Sequence, residues 1–143
     1  MSVPVPQPGL VISYAYLWTR EYRKGREEGE KDRPCAIITA RQVVEGREVV
    51  TVVPITHTLP TDPADAIEIP AALKAHLGLD GLPSWIMVTE TNDFLWPGPD
   101  LRAIRSTGRF DYGMLPPRFF AHIRDRLLQA HLHRRLNRVP RSE

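Results

Sequence analysis

Hydrophobic positions along the chain fall into short runs that are interrupted by proline, glycine and charged residues. Short runs rich in branched and aromatic residues, bounded by turn-forming residues, predict β-strands. This pattern predicts strands over 10–18, 34–39, 49–55, 66–69, 85–89 and 103–110. The sequence Glu45-Gly46-Arg47 supplies a hairpin turn between the second and the third strand. The segment 95–101, which holds two prolines and a glycine, is predicted to be a loop.

Two segments carry helical signals. Pro70 opens a short helix over 71–77, and Gly78 closes it. A longer helix is predicted to begin at Pro116-Pro117 and to end at about residue 136. Its apolar residues recur at helical spacing, which predicts one buried face: Phe119, Phe120, Ile123, Leu127, Leu128, Leu132 and Leu136.

The segment 19–32 interrupts the alternation of strands and turns. It contains ten charged residues and two glycines. Such a composition predicts a mobile loop without regular secondary structure. Because long structureless loops are uncommon inside small domains, those that occur are often functional.

The order of the elements favours a mainly β (α+β) fold. Strands follow one another without alternating helices, so a parallel sheet built from βαβ units is not expected. A small antiparallel β-barrel with a C-terminal helix accounts best for the pattern.

Length and composition then narrow the class of protein. The chain has 143 residues, of which 42% are hydrophobic and 25% charged, so a single globular domain over 1–143 is expected. An extended arm over 1–8 and a basic tail over 137–143 are expected to flank it. Neither a membrane span nor a secretion signal is expected, so a cytoplasmic protein is the default. The single cysteine, Cys35, excludes an internal disulfide framework.

The charge is unevenly distributed along the chain. Residues 101–143 contain ten arginines, no lysine and three acidic residues, whereas residues 1–100 contain nine basic and fourteen acidic residues. Guanidinium groups suit contacts with phosphate or carboxylate, which favours nucleic acid or an acidic protein as a partner. A solvated helix face followed by a basic tail explains the same distribution, and charge alone favours that plainer interpretation.

Several kinds of site are not indicated by the sequence. The five histidines do not have metal-ligand spacing, and His131 and His133 point to different faces of a helix. A phosphate-binding P-loop, a dinucleotide fingerprint and a nucleophile elbow are missing. We therefore expect neither a metal ion nor a cofactor.

The candidate chemistry lies at the margins of two strands. Arg33 stands at the start of the second strand, and Thr56 stands at the end of the third. A hairpin brings both to the same end of the sheet, near the acidic Glu28 and Glu30. An arginine there can stabilise the negative charge of a phosphodiester under attack, and a carboxylate can accept a proton. A surface arginine in an ion pair and a threonine in a turn explain the same spacing, and spacing alone favours that alternative.

Three segments of the sequence resemble the PemK/MazF family of toxins. Pro8-Gly9-Leu10-Val11-Ile12 is similar to its opening glycine and strand. Two motifs are more specific, namely Lys31-Asp32-Arg33-Pro34-Cys35-Ala36-Ile37-Ile38 and Val52-Val53-Pro54-Ile55-Thr56. A serine-led strand over 84–90 and a C-terminal helix follow in the family's order, so the resemblance extends over residues 8–130.

The resemblance implies both a fold and an activity. The fold would be an SH3-like β-barrel with a long first loop. The activity would be that of a metal-independent endoribonuclease that cleaves single-stranded RNA and is held inactive by a cognate antitoxin protein. A homodimer is implied as well, and we expect one also because Trp18, Trp85 and Trp96 are hard to cover in so small a core.

The resemblance also implies roles for individual residues. Arg33 matches the signature arginine and Thr56 the catalytic threonine. Glu28 stands where some members place an acidic residue, and it is the expected general base. The expected substrate-binding residues are Lys31, His57 and Glu90. His57 is in addition a candidate proton donor, and Glu90 is an alternative base.

Two other functions remain open at this point. Toxins of the CcdB type use a similar barrel to bind DNA gyrase without cleaving RNA, but such a binder does not need the pair Arg33 and Thr56. A plain nucleic-acid-binding module would use the arginine-rich helix and tail instead.

Overall fold

The structure is a computed structural model, and it describes residues 3–27, 29, 31–42 and 46–141. Eight strands are present in this part of the chain: β1 (Leu10–Tyr14), β2 (Arg33–Gln42), β3 (Glu48–Thr56), β4 (Ala66–Glu68), β5 (Trp85–Met87), β6 (Glu90–Trp96), β7 (Asp111–Met114) and β8 (Asn137–Pro140). Three α-helices accompany them, α1 (Thr19–Arg23), α2 (Ala71–His76) and α3 (Pro117–Leu132), together with a 3-10 turn at Pro63–Asp65. Glu45 of the predicted hairpin turn lies outside the described residues.

The strands form one sheet that branches at β3. Its main path runs β4-β5-β3-β2-β1-β7, and β6 pairs with β3 and with β8. All pairings are antiparallel except that between β6 and β8. The expected mainly β, antiparallel fold is therefore confirmed. The pairings among the described strands do not close into a ring, so a closed barrel is not observed.

The central strands are buried on both faces. Along β1, Val11 belongs to an apolar cluster with α2 and α3, whereas Ile12 and Tyr14 belong to a second cluster with β6. Side chains alternate between the two faces of a strand, so one strand supplies both clusters. Double burial explains why β1 to β3 read as nearly continuous hydrophobic runs.

The C-terminal helix is shorter than its apolar pattern predicts. Ile123, Leu127 and Ala130 are buried, but Leu128 and Leu132 of the predicted apolar face are exposed. The helix ends at Leu132, and Arg134 then adopts a φ of 58°. A residue in this left-handed region stops a helix and turns the chain. The turn directs residues 137–140, expected as part of a basic tail, into strand β8.

Three further predictions are wrong, the first two because distant residues decide the local structure and the third because a local turn replaces the strand. Residues 19–23 of the predicted loop form α1. Residues 90–96, predicted partly as loop, form β6, in which the buried Asn92 side chain bonds the backbone N–H and C=O of Leu17. The last strand of the main path is β7, at Asp111–Met114, rather than a strand over 103–110. Residues 104–108 form a turn in which the Ile104 carbonyl accepts a hydrogen bond from the N–H of Gly108.

Candidate functional site

A groove of about 620 Å³ opens at one end of the central hairpin. Its walls come from the start of β2, the end of β3, the segment after α2 and the segment before β7. Four residues that the sequence analysis singled out line it: Lys31, Arg33, Thr56 and His57. Other residues that line it include Trp18, Arg20, Asp32, Asp80, Ser84, Ser106 and Tyr112.

The hairpin register explains why Arg33 and Thr56 share this groove. Cys35 of β2 pairs with Pro54 of β3 in an antiparallel ladder. Arg33 stands two residues before Cys35, and Thr56 stands two residues after Pro54. Both therefore emerge at the same end of the hairpin, as the sequence predicted. Thr56 is in turn held by its pairing with Trp85 of β5.

The Arg33 guanidinium is half-buried and has unused hydrogen-bond donors. Its central carbon lies 4.9 Å from the centroid of the Trp18 ring. Its Nε is buried without a hydrogen-bond partner, and no ion pair to Arg33 occurs among the described residues. Burial lowers the pKa of Arg33 from its ordinary value. A half-buried cation without an ion-pair partner favours binding of a negatively charged ligand.

The Thr56 hydroxyl faces the groove and already accepts one hydrogen bond from the protein. Its Oγ1 accepts a hydrogen bond from the backbone N–H of Thr58 at 3.1 Å, which fixes the start of the next turn. The side chain is buried, so its orientation is restricted. The hydroxyl hydrogen remains available to donate to an oxygen of a ligand.

His57 belongs to a hydrogen-bonded cluster that the sequence analysis missed. Its Nε2 lies 2.8 Å from Oδ2 of Asp80, and its Nδ1 lies 2.9 Å from the carbonyl oxygen of Pro83 and 3.1 Å from Oγ of Ser84. Buried Lys74 of α2 donates to Asp80 Oδ1 and to Ser84 Oγ, both at 2.8 Å, and to the Leu82 carbonyl. No local signal marks Lys74 as buried, because one lysine on an amphipathic helix normally faces solvent.

The remaining predicted residues are placed differently. Lys31 is exposed at the groove. Glu90 is not among the described residues that line the groove, and its contact with substrate stays a prediction. Its Oε1 instead accepts hydrogen bonds from Tyr16 Oη and from the N–H of Thr19 at the start of α1, and burial raises the pKa of the Glu90 carboxyl. Glu28 lies outside the described residues.

The charges of the groove favour an anionic ligand. Arg20, Lys31 and Arg33 line it, and its two described carboxylates are Asp32 and Asp80. Asp80 is balanced by Lys74 and by contact with His57, and the hydrogen bond from Lys74 holds the pKa of the Asp80 carboxyl below its ordinary value. Such a surface can hold a phosphate group between a guanidinium and a hydroxyl.

Other chemistries find less support in the described part of the chain. No cluster of three or more histidine, cysteine, aspartate or glutamate side chains capable of holding a metal ion occurs there. Burial raises the pKa of the Cys35 thiol well above its ordinary value, which makes it a poor nucleophile. None of the described helices has the length and apolar character needed to cross a bilayer.

Comparison with known proteins adds one finding. A family model described as "PemK-like, MazF-like toxin of type II toxin-antitoxin system" matches residues 16–93. No curated protein and no solved structure matches the chain. The matched residues include Trp18, Arg33, Thr56 and His57, together with the whole cluster around Asp80, and they amount to more than half of the chain.

Proposed function

From the premise that this chain belongs to the PemK-like, MazF-like toxins of type II toxin–antitoxin systems, we propose that it is a metal-independent endoribonuclease that cleaves single-stranded RNA. The observation that carries the proposal is the half-buried Arg33 guanidinium, which lines the same groove as Thr56 and has no ion-pair partner among the described residues. A protein gains little stability from such an arginine, whereas a phosphate-binding site requires one.

The reaction would begin with attack of the RNA 2′-hydroxyl on the adjacent phosphorus. Negative charge then accumulates on the phosphate oxygens, and Arg33 is placed to stabilise it. Thr56 would donate its hydroxyl hydrogen to the same phosphate. Lys31, exposed at the groove, would attract the RNA backbone. Glu28 is retained as the general base on the family resemblance alone. The products would be a 2′,3′-cyclic phosphate and a 5′-hydroxyl.

The same premise implies further properties, which we propose as well. An antitoxin protein would bind this toxin in the cytoplasm and block the groove. An SH3-like architecture fits the branching of the sheet at β3 and the register shifts in β1 and β2, because such irregularities bend a sheet.

A homodimer is proposed on the family resemblance alone. The expectation that the tryptophans are hard to cover in so small a core is wrong for Trp18 and Trp96, since each is only 8% exposed. Analytical sedimentation at micromolar concentration tests the dimer. A mass of one chain, 16.3 kDa, contradicts it.

Substitution of Arg33 tests the ribonuclease proposal. Wild-type protein and the Arg33→Ala and Arg33→Lys variants are incubated with a long single-stranded RNA in the presence of a metal chelator. Losing one charge-stabilising donor should slow cleavage roughly 100-fold or more in Arg33→Ala. Arg33→Lys should retain part of the rate, because it keeps the charge but loses the forked donors. Arg118→Ala, a change at an exposed residue of α3, is the matched control.

Three results would contradict the proposal. Wild-type protein that leaves RNA intact would favour a binding function, such as binding to DNA gyrase, for which the pair Arg33 and Thr56 is unnecessary. Cleavage that requires a divalent cation would contradict the metal-independent reaction. Equal rates in wild type and Arg33→Ala would show that Arg33 takes no part in cleavage. A Thr56→Ala variant, assayed in parallel, should be slowed in the same way if its hydroxyl contacts the phosphate.

A further inference from the structure

Two guanidinium groups share the ring of Trp18 at the groove. The central carbon of Arg20 lies 5.0 Å from the ring centroid, and that of Arg33 lies 4.9 Å from it. Both arginines line the groove, and the indole that supports them is only 8% exposed. A contact of this kind positions a guanidinium group without using a hydrogen bond, so its N–H donors remain available to a ligand.

Arg20 has no carboxylate partner in the part of the chain that the structure describes. Other described arginines do form ion pairs, among them Arg26 with Glu21 and Arg109 with Asp111. The exposed Arg20 side chain is therefore not needed for an internal ion pair, and its charge is available to a ligand in the groove.

The closeness of the two cations favours an anion between them. Burial is the main cause that lowers the pKa of Arg33, and the positive charge of Arg20 lowers it further. Like charges so close together repel each other, and neither arginine has a carboxylate among the described residues to offset this repulsion. A bound anion that contacts both guanidinium groups would remove it.

The distance between the two guanidinium groups suits two phosphates of one strand. Because both central carbons lie within 5.0 Å of the same ring centroid, their separation is at most twice that distance. The phosphates of a nucleic-acid strand recur about every 3.4 Å along the axis of a stacked helix, and they lie further apart when the strand is extended. A single strand can therefore place successive phosphates at Arg20 and at Arg33.

We propose that Arg20 binds the phosphate next to the scissile one, so that Arg20 and Arg33 together hold two successive phosphates of the RNA. This assignment rests on the ribonuclease function proposed above. Arg33 would act on the phosphate that reacts, whereas Arg20 would set the register of the strand and so determine which phosphate reaches Arg33 and Thr56. Because the contact is to the backbone, it would be the same for every base sequence.

Binding of an RNA that cannot be cut tests this role. The bond that the wild-type protein cleaves is first mapped on a long RNA, and a short single-stranded RNA is then made with hydrogen in place of the attacking 2′-hydroxyl. Its affinity is measured over a range of salt concentrations. Loss of one phosphate contact in Arg20→Gln should weaken binding roughly fivefold at about 0.1 M salt. The slope of log affinity against log salt should fall by about 0.7.

Two further variants are measured in the same way. Arg20→Lys keeps the charge, so it should keep most of the salt dependence. Lys24→Gln is the matched control, because it removes a positive charge from an exposed residue of the same segment that does not line the groove. Its affinity and its slope should equal those of wild type.

A neutral phosphate identifies which phosphate Arg20 binds. A methylphosphonate replaces one phosphate at a time on either side of the scissile one. Wild type should lose affinity at the phosphate that Arg20 contacts, whereas Arg20→Gln should lose no more there, because its contact is already missing. Lys24→Gln should lose as much as wild type does.

Cleavage kinetics separate the role of Arg20 from that of Arg33. Arg20→Gln should raise KM and leave kcat close to the wild-type value, because a contact to a phosphate that does not react is equally strong before and during the reaction. Arg33→Ala should lower kcat instead, because the charge that it stabilises develops only during the reaction.

The outcomes distinguish this inference from the function on which it rests. A wild-type protein that leaves RNA intact overturns both proposals. If wild type cleaves RNA, equal affinity and equal salt dependence in wild type and Arg20→Gln overturn only the role of Arg20. A fall in kcat with KM unchanged means that Arg20 acts on the scissile phosphate, and it overturns the assignment to a neighbouring one. Equal losses of affinity by wild type and Arg20→Gln at every methylphosphonate position overturn it as well.

Discussion

The Arg33 guanidinium lies over the ring of Trp18, at 4.9 Å from its centroid, and the indole is only 8% exposed. Arg20 approaches the same ring at 5.0 Å. One tryptophan thus holds two arginines at the groove through its electron-rich faces. Trp18 stands just before α1, so it connects the charged segment of the chain to the candidate phosphate site.

The first prediction concerns this contact. Trp18→Leu keeps an apolar side chain but removes the aromatic face, which should cost about 0.5–2 kcal/mol of the interaction that orients Arg33. We expect RNA cleavage to slow severalfold or more per folded molecule. Trp96→Leu is the matched control, since Trp96 is equally buried in the same apolar cluster but does not line the groove. Equal rates in the two variants would show that the ring does not position Arg33.

A second prediction concerns stability at the C-terminal strand. The Arg141 side chain is 1% exposed and pairs with Asp100 at 2.7 Å, whereas that of Arg138 is 52% exposed and pairs with Asp93 at 3.1 Å. Breaking a buried pair leaves an uncompensated charge, so Arg141→Met should lower the free energy of unfolding by about 3 kcal/mol. Arg138→Met should change it by less than about 1 kcal/mol. Urea denaturation of both variants measures the difference, and equal losses would contradict the structural role of Arg141.

The contrast between Arg141 and Arg138 shows that the local sequence does not predict which arginine of a basic segment is buried. Both belong to the same basic segment, and nothing local distinguishes them. Their environments are fixed by partners 41 and 45 residues away in the chain. The burial of Arg141, which follows β8, depends on the pairing of β8 with β6. Polar residues such as Asn92 make β6 hard to recognise as a strand from the sequence. Helix α1 is hard to predict for the same reason, because its first N–H donates to Glu90, a residue far away in the chain.

The candidate site was predictable to the extent that it depends on neighbouring strands. A hairpin determines its own register, so the convergence of Arg33 and Thr56 could be inferred from two strand ends. The cluster around His57 joins the end of β3 to α2 and to the segment before β5. No pattern along the chain predicts that these three segments come into contact. The sequence therefore indicated His57 but neither Asp80 nor Lys74.

A third prediction follows from the partly buried Glu90 carboxyl. Burial raises its pKa above the ordinary value, although Thr19 and Tyr16 donate to it. The folded protein then binds more protons than the unfolded chain, so the stability that Glu90 contributes falls as pH rises through its folded pKa. Glu90→Gln keeps an acceptor oxygen and cannot ionise. Wild type should lose stability relative to this variant as pH rises from the ordinary glutamate range upward.

Urea denaturation across a series of pH values measures this effect. Glu68→Gln, at an exposed position of β4, is the matched control. A difference between wild type and Glu90→Gln that stays constant with pH would contradict the prediction, because only a change in proton binding makes it vary.

The last prediction concerns Gly29, in the charged segment that leads to Arg33. A Cβ atom at this position would clash with the carbonyl oxygen of Tyr16 and would lie 2.9 Å from that of Ala15. Both are backbone atoms, which cannot turn aside as a side chain can. Gly29→Ala must therefore displace its segment from the chain at 15–16, and overpacking of this kind costs about 1–3 kcal/mol.

The displacement should also reach the groove, because Lys31 and Arg33 follow Gly29 within four residues. We expect Gly29→Ala to lower the urea midpoint and to slow RNA cleavage under conditions where the protein remains folded. Gly81→Ala is the control for stability, since a Cβ there meets no atom within 4 Å. A Gly29→Ala variant as stable and as active as wild type would mean that the packing of this segment against Tyr16 neither supports the fold nor positions Arg33.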